Sequence, residues 1–174
     1  MNKLKFQTKQ RTGNMGLFYI CYKLSRFGWN VLPTIKNAKA IDIIAYKENG
    51  EQPISIQTKG YTNEESVGKF RDEEDITADF YIIATHIYER PVTYILTKSD
   101  VKKNLTKNED GYWLEKSSVK GSDRYYLKEE FREKWEKIGM GFALETEVEQ
   151  IKRIDKELSK EKNKEREVDF HTNL

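Results

Sequence analysis

The stretch Ile41–Gly60 reads IDIIAYKENGEQPISIQTKG and contains two apolar runs that meet at Asn49-Gly50. Asn-Gly is the strongest short-range signal for a β-hairpin with a two-residue turn. The sequence therefore predicts antiparallel strands at Ile41–Tyr46 and Ile54–Lys59, in which the numbers of paired residues sum to 99.

This register gathers three polar side chains on one face of the hairpin. Asp42 faces Gln57 with a Cα separation of about 4.5–5.5 Å, and Lys59 shares that face because strand side chains alternate. A three-residue loop would shift the pairing and move Asp42 off this face. Pro53 lacks an N–H, which favours an open end near the turn. The opposite face collects Ile41, Ile43, Ala45, Ile54, Ile56 and Thr58.

The polar cluster has two interpretations. In the first, Asp42 and Lys59 form a structural ion pair and Gln57 is a bystander. In the second, Mg²⁺ binds the Asp42 carboxylate, the Gln57 side-chain oxygen and the Thr58 carbonyl, with water and substrate phosphate completing the shell. The metal would then lower the pKa of a bound water. Lys59 would orient that water and stabilise the transition state.

Flanking patterns predict the remaining elements. Thr12-Gly13-Asn14 is expected to cap a helix that ends at Gly28, with Lys23 outside its apolar stripe. That stripe consists of Leu17, Ile20, Cys21, Leu24 and Phe27. Further strands are expected at Trp29–Ile35, Phe80–Ala84, Val92–Thr97 and, on an edge, Tyr112–Leu114. Helices are expected at Glu64–Phe70, Ser99–Leu105, Leu127–Ile138 and 144–168.

This order of elements predicts an α/β fold with a mixed central sheet flanked by helices, plus C-terminal helices. We expect one domain at 1–140 and a charged helix or tail at 141–174. No apolar run reaches the roughly 18 residues of a membrane helix, and no signal-peptide segment follows the basic N-terminus. The single cysteine, Cys21, excludes an internal disulfide and multi-cysteine zinc sites, which favours a reducing, cytoplasmic location.

Charge is unevenly distributed along the chain. Residues 1–41 contain eight basic residues and no Asp or Glu, whereas the rest carries 23 basic against 29 acidic residues, a net charge of −6. A basic leading segment suggests a surface that faces a polyanion, although ordinary solvated surface is the alternative. We expect phosphate contacts from Lys36, Asn37 and Lys39, in the turn before Asp42, and from Arg11.

At this point the pattern resembles the PD-(D/E)xK nuclease superfamily, with its restriction-endonuclease-like αβββαβ core. The residues that carry the resemblance are Asp42, a fourteen-residue gap and Gln57-Thr58-Lys59, and the Gln-x-Lys form is similar to the Mrr-like branch. The resemblance covers about residues 13–97. It implies hydrolysis of a DNA phosphodiester, leaving a 5′-phosphate, with Mg²⁺ or Mn²⁺ held by Asp42 and Gln57 and with Lys59 as the catalytic lysine.

The chain departs from this family pattern in three respects. The first helix contains no acid, where relatives often place a Glu, and Asn14 is the conceivable substitute. Many relatives carry Gly just before the motif aspartate or two residues before it, where Lys39-Ala40 stand here. With Gln57 in place of Glu, Asp42 is the only carboxylate of the expected site.

These departures leave three functional alternatives. The first is a restriction- or repair-type endonuclease acting on double-stranded DNA, with a homodimer as one way to cut both strands. The second is a nuclease-fold module that has weak or no activity and binds nucleic acid or a partner. The third is an unrelated α/β domain in which Asp42 and Lys59 make a structural contact.

His86, which ends the strand before Val92, is either a base, a DNA contact or a satisfied histidine.

Overall fold

A computed structural model describes residues 8–34, 40–48, 50, 52–70, 72–109, 111–114, 124–142, 151, 154, 156 and 159. Within these residues the continuous helices and strands follow the order α1 (Lys9–Arg26), β1 (Asn30–Pro33), β2 (Ile43–Tyr46), β3 (Ile54–Gly60), β4 (Gly68–Phe70), β5 (Phe80–Thr85), β6 (Val92–Thr97), α2 (Lys98–Lys103), β7 (Thr106–Asn108) and β8 (Gly111–Trp113). Short 3₁₀ helices occupy Glu73–Asp75, Tyr125–Leu127 and Trp135–Lys137.

The main sheet has five strands in the order β1-β2-β3-β5-β6. The pair β3–β5 is parallel and the other pairs are antiparallel, so the sheet is mixed. The predicted α/β class with a mixed sheet is therefore confirmed. A second sheet has the order β4-β8-β7. The strand predicted at Tyr112–Leu114 is present as β8, but its predicted edge position is wrong because β8 lies between two partners.

Helix α1 begins earlier than the sequence pattern predicted. Its N-cap is Thr8, whose hydroxyl accepts the Arg11 N–H, so Asn14 lies within the helix. The predicted end is confirmed, because Gly28 has φ 84° and donates its N–H to the Ser25 carbonyl. Trp29 donates to the Leu24 carbonyl 3.1 Å away, which completes the paired bonds of a Schellman motif.

The apolar stripe of α1 packs on the main sheet. Ile20, Leu24 and Phe27 are buried in a cluster with residues of β2, β3 and β5, and Leu17 and Cys21 pack against it. The expectation that Lys23 lies outside this stripe is wrong, because its side chain is only 6% exposed. A second apolar cluster covers the other face of β5 and β6, whereas Leu32 on the edge strand β1 is 53% exposed.

Two glycines fix the contact between α1 and β3. A Cβ on Gly16 would lie 2.7 Å from the Gly60 Cα atom, and a Cβ on Gly60 would lie 2.6 Å from the Thr12 carbonyl oxygen. Such distances leave no room for any side chain, so both backbones approach as closely as they do only because glycine occupies both positions. The contact holds the N-terminal half of α1 at the carboxyl end of β3.

The β2–β3 hairpin has the predicted register but a different turn. The pairs Ile43–Ile56, Ile44–Ser55 and Ala45–Ile54 all sum to 99. The loop is not a two-residue turn, because Gly50 donates to the Lys47 carbonyl and Gln52 has φ 50°. The described ladder ends before Pro53, as its missing N–H predicts.

Two predicted helices are absent. Residues expected to be helical around Glu64–Phe70 instead enter β4, and no described residue between β3 and β5 is α-helical, so the helix of the expected αβββαβ order is missing there. The segment Leu127–Ile138 runs beside β6, with bonds from Ile95 N to Phe131 O and from Glu133 N to Thr93 O. Glu133 has φ 52°, which no α-helix accommodates.

The residues after this segment return to the core around α1. Gly141 donates to the Phe27 carbonyl and accepts the Glu48 N–H, which joins the end of α1 to the hairpin loop. Ile154, in the expected C-terminal helix, is helical and buried in the same cluster. Most of 141–174 lies outside the described residues, so the boundary at 140 stays a prediction.

Candidate metal-binding and catalytic site

The expected site residues come together at one end of the main sheet. Gln57 and Lys59 lie near the carboxyl end of β3, and Asp42 lies just before β2, which runs antiparallel to β3. In open α/β sheets, ligands bind beyond the carboxyl ends of the parallel strands, which here are β3 and β5. The Gly16–Gly60 contact brings α1 to the same end.

Asp42 does not pair directly with Gln57 as predicted. Its N–H donates to the Ile56 carbonyl, although the register already pairs Ile56 with Ile43. Two successive residues opposite one partner is the pattern of a β-bulge, which turns a side chain away from its regular direction. The Asp42 side chain consequently points along the ladder toward Thr58 rather than across it to Gln57.

The Asp42 carboxylate completes the β3 ladder. Its Oδ2 atom accepts the Thr58 N–H at 2.7 Å and the Thr58 hydroxyl at 3.2 Å. Its Oδ1 atom accepts no hydrogen bond from the described residues. Thr58 therefore fixes the Asp42 side chain through Oδ2, and Oδ1 is the carboxylate oxygen that the described residues leave for a ligand.

Gln57 and Lys59 share the face opposite the buried side chains of Ile56 and Thr58, as predicted. The Gln57 Oε1 atom is buried and has no hydrogen-bond partner. Lys59 is half-buried and forms no ion pair with any described carboxylate, Asp42 included. A buried acceptor without a partner costs about 1–3 kcal/mol, so the Gln57 oxygen is suited to a cation or a water at this position.

The donor set fits a magnesium ion only as a partial shell. The Asp42 Oδ1 atom, which accepts no hydrogen bond from the described residues, and the Gln57 Oε1 atom are hard oxygen ligands, which Mg²⁺ accepts together with waters and phosphate. Among the described residues, no group of three or more His, Cys, Asp or Glu side chains could hold a metal. A cation at this site therefore needs water and substrate for the rest of its coordination.

The expected phosphate contacts are only partly described. Lys36, Asn37 and Lys39 lie outside the described residues, whereas Arg11 is exposed near the start of α1. Ala40, the residue directly after Lys39, has φ 59°. This left-handed conformation costs a non-glycine residue about 1–2 kcal/mol, so the backbone that leads to Asp42 is strained.

Three further polar residues lie at this end of the sheet, and of these only His86 was a functional candidate from the sequence. The Thr12 hydroxyl on α1 lies 3.1 Å from the Tyr88 hydroxyl in the loop after β5. His86, in the same loop, has φ 54° and places its Nδ1 atom 3.2 Å from the Thr85 hydroxyl. A Thr among apolar helix positions and a His that ends a parallel strand were the available signals.

A second cluster missed in the sequence joins α1 to β6. The Glu133 Oε1 atom accepts the Thr93 N–H at 2.6 Å and the Thr93 hydroxyl at 2.9 Å. Its Oε2 atom lies 3.4 Å from Lys23 Nζ and accepts the Trp135 indole N–H at 3.2 Å. Lys23 occurs three residues after Ile20, which is the spacing that predicts an inward position and a buried partner.

Other candidates have structural explanations. Burial raises the pKa of the Cys21 thiol, which is the opposite of what a nucleophile needs. Glu64, Glu65 and the acids of 72–75 are exposed, as expected of a solvated acidic surface. Trp135 is buried and stacks on Phe27 with ring centroids 5.5 Å apart, so it has a packing role.

No helix among the described residues is long and apolar enough to cross a membrane. A scan against protein-family models finds no match to this chain, and a search of the curated proteins finds none either. What the chain does must therefore be inferred from the arrangement of Asp42, Gln57, Thr58 and Lys59 itself.

Proposed function

We propose that this protein is a metal-dependent endonuclease of the restriction or repair type, built on the PD-(D/E)xK fold and acting on double-stranded DNA in the cytoplasm. The observation that carries the proposal is the geometry of the β2–β3 hairpin. It brings three polar groups to the carboxyl end of β3: the Asp42 carboxylate, held by Thr58 through Oδ2, the buried Gln57 amide oxygen without a hydrogen-bond partner, and Lys59, which forms no ion pair with a described carboxylate.

In the proposed reaction, Asp42 Oδ1, Gln57 Oε1 and the Thr58 carbonyl would hold Mg²⁺ or Mn²⁺. When bound, the metal supplies a water of lowered pKa and neutralises charge on a phosphate oxygen. Lys59 orients the attacking water and stabilises the negative charge of the transition state. The water oxygen forms a bond to phosphorus, the bond to the 3′ oxygen breaks, and the products carry a 5′-phosphate and a 3′-hydroxyl.

The conformation of Ala40 supports the resemblance to this family. Many relatives have glycine one or two residues before the motif aspartate, and Ala40 has a φ of 59°, which glycine adopts without steric cost. A backbone conformation that suits glycine at this position supports the proposal, although the side chain here is alanine. The main point against the proposed fold is that no described residue between β3 and β5 is α-helical.

The alternative is a module that has weak or no activity and binds nucleic acid or a partner. The observation favouring it is that Asp42 Oδ2 is committed to Thr58, so a carboxylate that holds the ladder together would be kept for structural reasons alone. The third interpretation, a structural Asp42–Lys59 ion pair, is not found among the described residues.

A cleavage assay tests the proposal. Supercoiled plasmid and a linear duplex are incubated with the protein and Mg²⁺ or Mn²⁺, with EDTA as the blank. We expect metal-dependent cutting that leaves ligatable 5′-phosphates. Asp42→Asn and Lys59→Ala should each reduce the rate of cutting at least about 100-fold. Glu74→Gln and Lys102→Ala, which change exposed charges on other surfaces, are the matched controls and should cut normally.

Gln57→Glu separates the alternatives further. If the site holds a cation, a second carboxylate lowers the concentration of Mg²⁺ required for cutting, because ligand charge sets affinity. Binding of Mn²⁺, followed by its paramagnetic signal, should tighten in the same variant. Duplex binding without cutting in any variant, together with unchanged Mn²⁺ binding, would establish the non-catalytic alternative.

A further inference from the structure

Helix α1 presents a second, outward-facing surface that the proposed site does not use. Met15, Phe18 and Tyr22 are 39%, 62% and 51% exposed, although all three have large apolar side chains. With Arg11 and Arg26 they occur at spacings of four, three, four and four residues, which places all five on one face of the helix. We call this surface the α1 stripe. Contiguous exposed apolar side chains, unlike scattered ones, mark interaction sites.

The chemistry of the α1 stripe is cationic and aromatic. Arg26 donates to the Tyr22 hydroxyl at 3.1 Å, and its guanidinium lies 5.9 Å from the centre of the Tyr22 ring. The helix contains no Asp or Glu, so every charged side chain on α1 is basic. Phe18 and Tyr22 are separated by about 6 Å along the axis, which allows each ring to contact a different base.

Charge argues against a second copy of the chain as the occupant. In an antiparallel pairing centred on Phe18 and Tyr19, Met15 would face Tyr22 and Arg11 would face Arg26. A parallel pairing would place each arginine against its own copy. Both arrangements bring like charges together with no helix carboxylate between them, which is destabilising. The stripe instead fits a flexible polyanion that has flat apolar groups.

We infer that the α1 stripe binds single-stranded nucleic acid, with bases stacked on Phe18 and Tyr22 and phosphates held by Arg11 and Arg26. Aromatic platforms beside cationic side chains bind single strands without sequence preference. The inference rests on the proposed function in one respect: that function is the reason for choosing a nucleic acid over other polyanions. The N-terminal end of the stripe lies at the same end of the sheet as Lys59, because Gly16 contacts Gly60.

Fluorescence anisotropy with a labelled oligothymidylate tests this inference, in EDTA so that no metal chemistry takes place. We expect the double variant Phe18→Ala, Tyr22→Ala to weaken binding at least about tenfold, and Phe18→Leu, which keeps an apolar group without a ring, to weaken it about fivefold. Replacing Arg11 and Arg26 by Gln should reduce the dependence of log affinity on log salt by about 0.7 per lost phosphate contact.

Leu32→Ala is the matched control, since Leu32 is equally exposed on the edge strand β1, and it should bind normally. Asp42→Asn should also bind normally, so failure of cleavage and failure of single-strand binding are separate results. The inference is overturned if the oligonucleotide does not bind or if the double variant binds as well as wild type. It is also overturned if that variant breaks a dimer in light scattering or loses several degrees of Tm, since the stripe would then be an interface or a packed surface.

Discussion

Asp42 and Glu133 make the same contact, each with a threonine of a β-strand more than ten residues away in the sequence. Asp42 accepts the N–H and hydroxyl of Thr58 on β3, and Glu133 accepts the N–H and hydroxyl of Thr93 on β6. In both cases one carboxylate oxygen takes the place of a missing neighbouring strand, since it satisfies a backbone donor that the ladder leaves unpaired.

The difference lies in the second oxygen. In Glu133 it contacts the buried Lys23 ammonium and the Trp135 indole, whereas in Asp42 it accepts no hydrogen bond from the described residues. The Glu133 contact is complete and joins α1, β6 and the following segment. The Asp42 contact fixes the side chain through one oxygen only. Glu133 is therefore a structural carboxylate, whereas Asp42 is a candidate ligand.

The largest expected effect is on stability when Glu133 is truncated. Glu133→Ala leaves the Lys23 ammonium buried without its carboxylate, and breaking such a pair costs about 3–5 kcal/mol. Urea denaturation should show this loss in the free energy of unfolding. Glu130→Ala, which removes an exposed partner of Lys128, should change that value by less than about 1 kcal/mol. Equal effects of the two substitutions would show that Glu133 is an ordinary surface acid.

Asp42→Asn should separate structure from activity. Its side-chain carbonyl can still accept the Thr58 N–H, so the free energy of unfolding should fall by only about 1 kcal/mol. Cleavage should nevertheless fall at least about 100-fold, because the neutral amide is a weaker ligand for a divalent cation. A stability loss as large as that of Glu133→Ala, with normal cleavage, would make the two carboxylates equivalent.

Removing the threonine hydroxyls tests both contacts in the same way. Thr93→Val and Thr58→Val each delete one hydrogen bond to a carboxylate and should each cost about 1–2 kcal/mol. The shorter bond of Thr93, at 2.9 Å against 3.2 Å, predicts the larger cost there. Only Thr58→Val should also change the Mg²⁺ dependence of cleavage, and a change in the Thr93 variant would contradict the comparison.

Left-handed backbone accompanies both contacts but in different residues. Glu133 itself has φ 52°, and near Asp42 it is Ala40 that has φ 59°. Glycine at Ala40 removes the strain without touching a carboxylate, so Ala40→Gly should stabilise the protein by about 0.5–1 kcal/mol. Thermal unfolding measures this gain, with Ala78→Gly as the control that should destabilise, because Ala78 is buried and has an ordinary φ.

A third carboxylate, Asp100, provides the pH test. Burial raises its pKa, but the bonds from Thr97 and Lys137 outweigh this effect and lower the pKa below its ordinary value of 3.8. A lowered folded pKa gives stability above the unfolded pKa that is lost as the pH falls through the folded pKa. The difference in urea midpoint between wild type and Asp100→Asn should therefore be constant near neutrality and shrink below about pH 4.

Local patterns in the sequence predicted much of the fold. Asn49-Gly50 with its flanking strands gave the correct register even though the loop differs, because the alternation of Ile43, Ala45, Ile54 and Ile56 leaves only one pairing that buries them together. The inward stripe and the Gly28 end of α1 follow similarly from short-range chemistry. These features depend on residues that are neighbours along the chain.

The errors occur where a distant backbone decides the conformation. Phe131, Trp135 and Ile138 are buried as their helical spacing predicts, but the carbonyl of Thr93 and the N–H of Ile95 hold that segment against β6 instead. Asp42 departs from Gln57 because the Thr58 N–H needs an acceptor. Neither feature can be predicted without knowing the sheet. Both arise because backbone N–H and C=O groups of a strand from another part of the chain need hydrogen-bond partners.

The position of Gly141 has a consequence for the order of folding during synthesis. Gly141 accepts the Glu48 N–H and donates to Phe27, yet it follows Glu48 by more than ninety residues. At translation rates of about 5–20 residues per second, roughly 5–20 s pass between the two. The nascent hairpin must wait that long with its loop bond unmade, so ribosome-bound chains that end before Gly141 should be more readily cut by a protease between Tyr46 and Ile54 than longer ones.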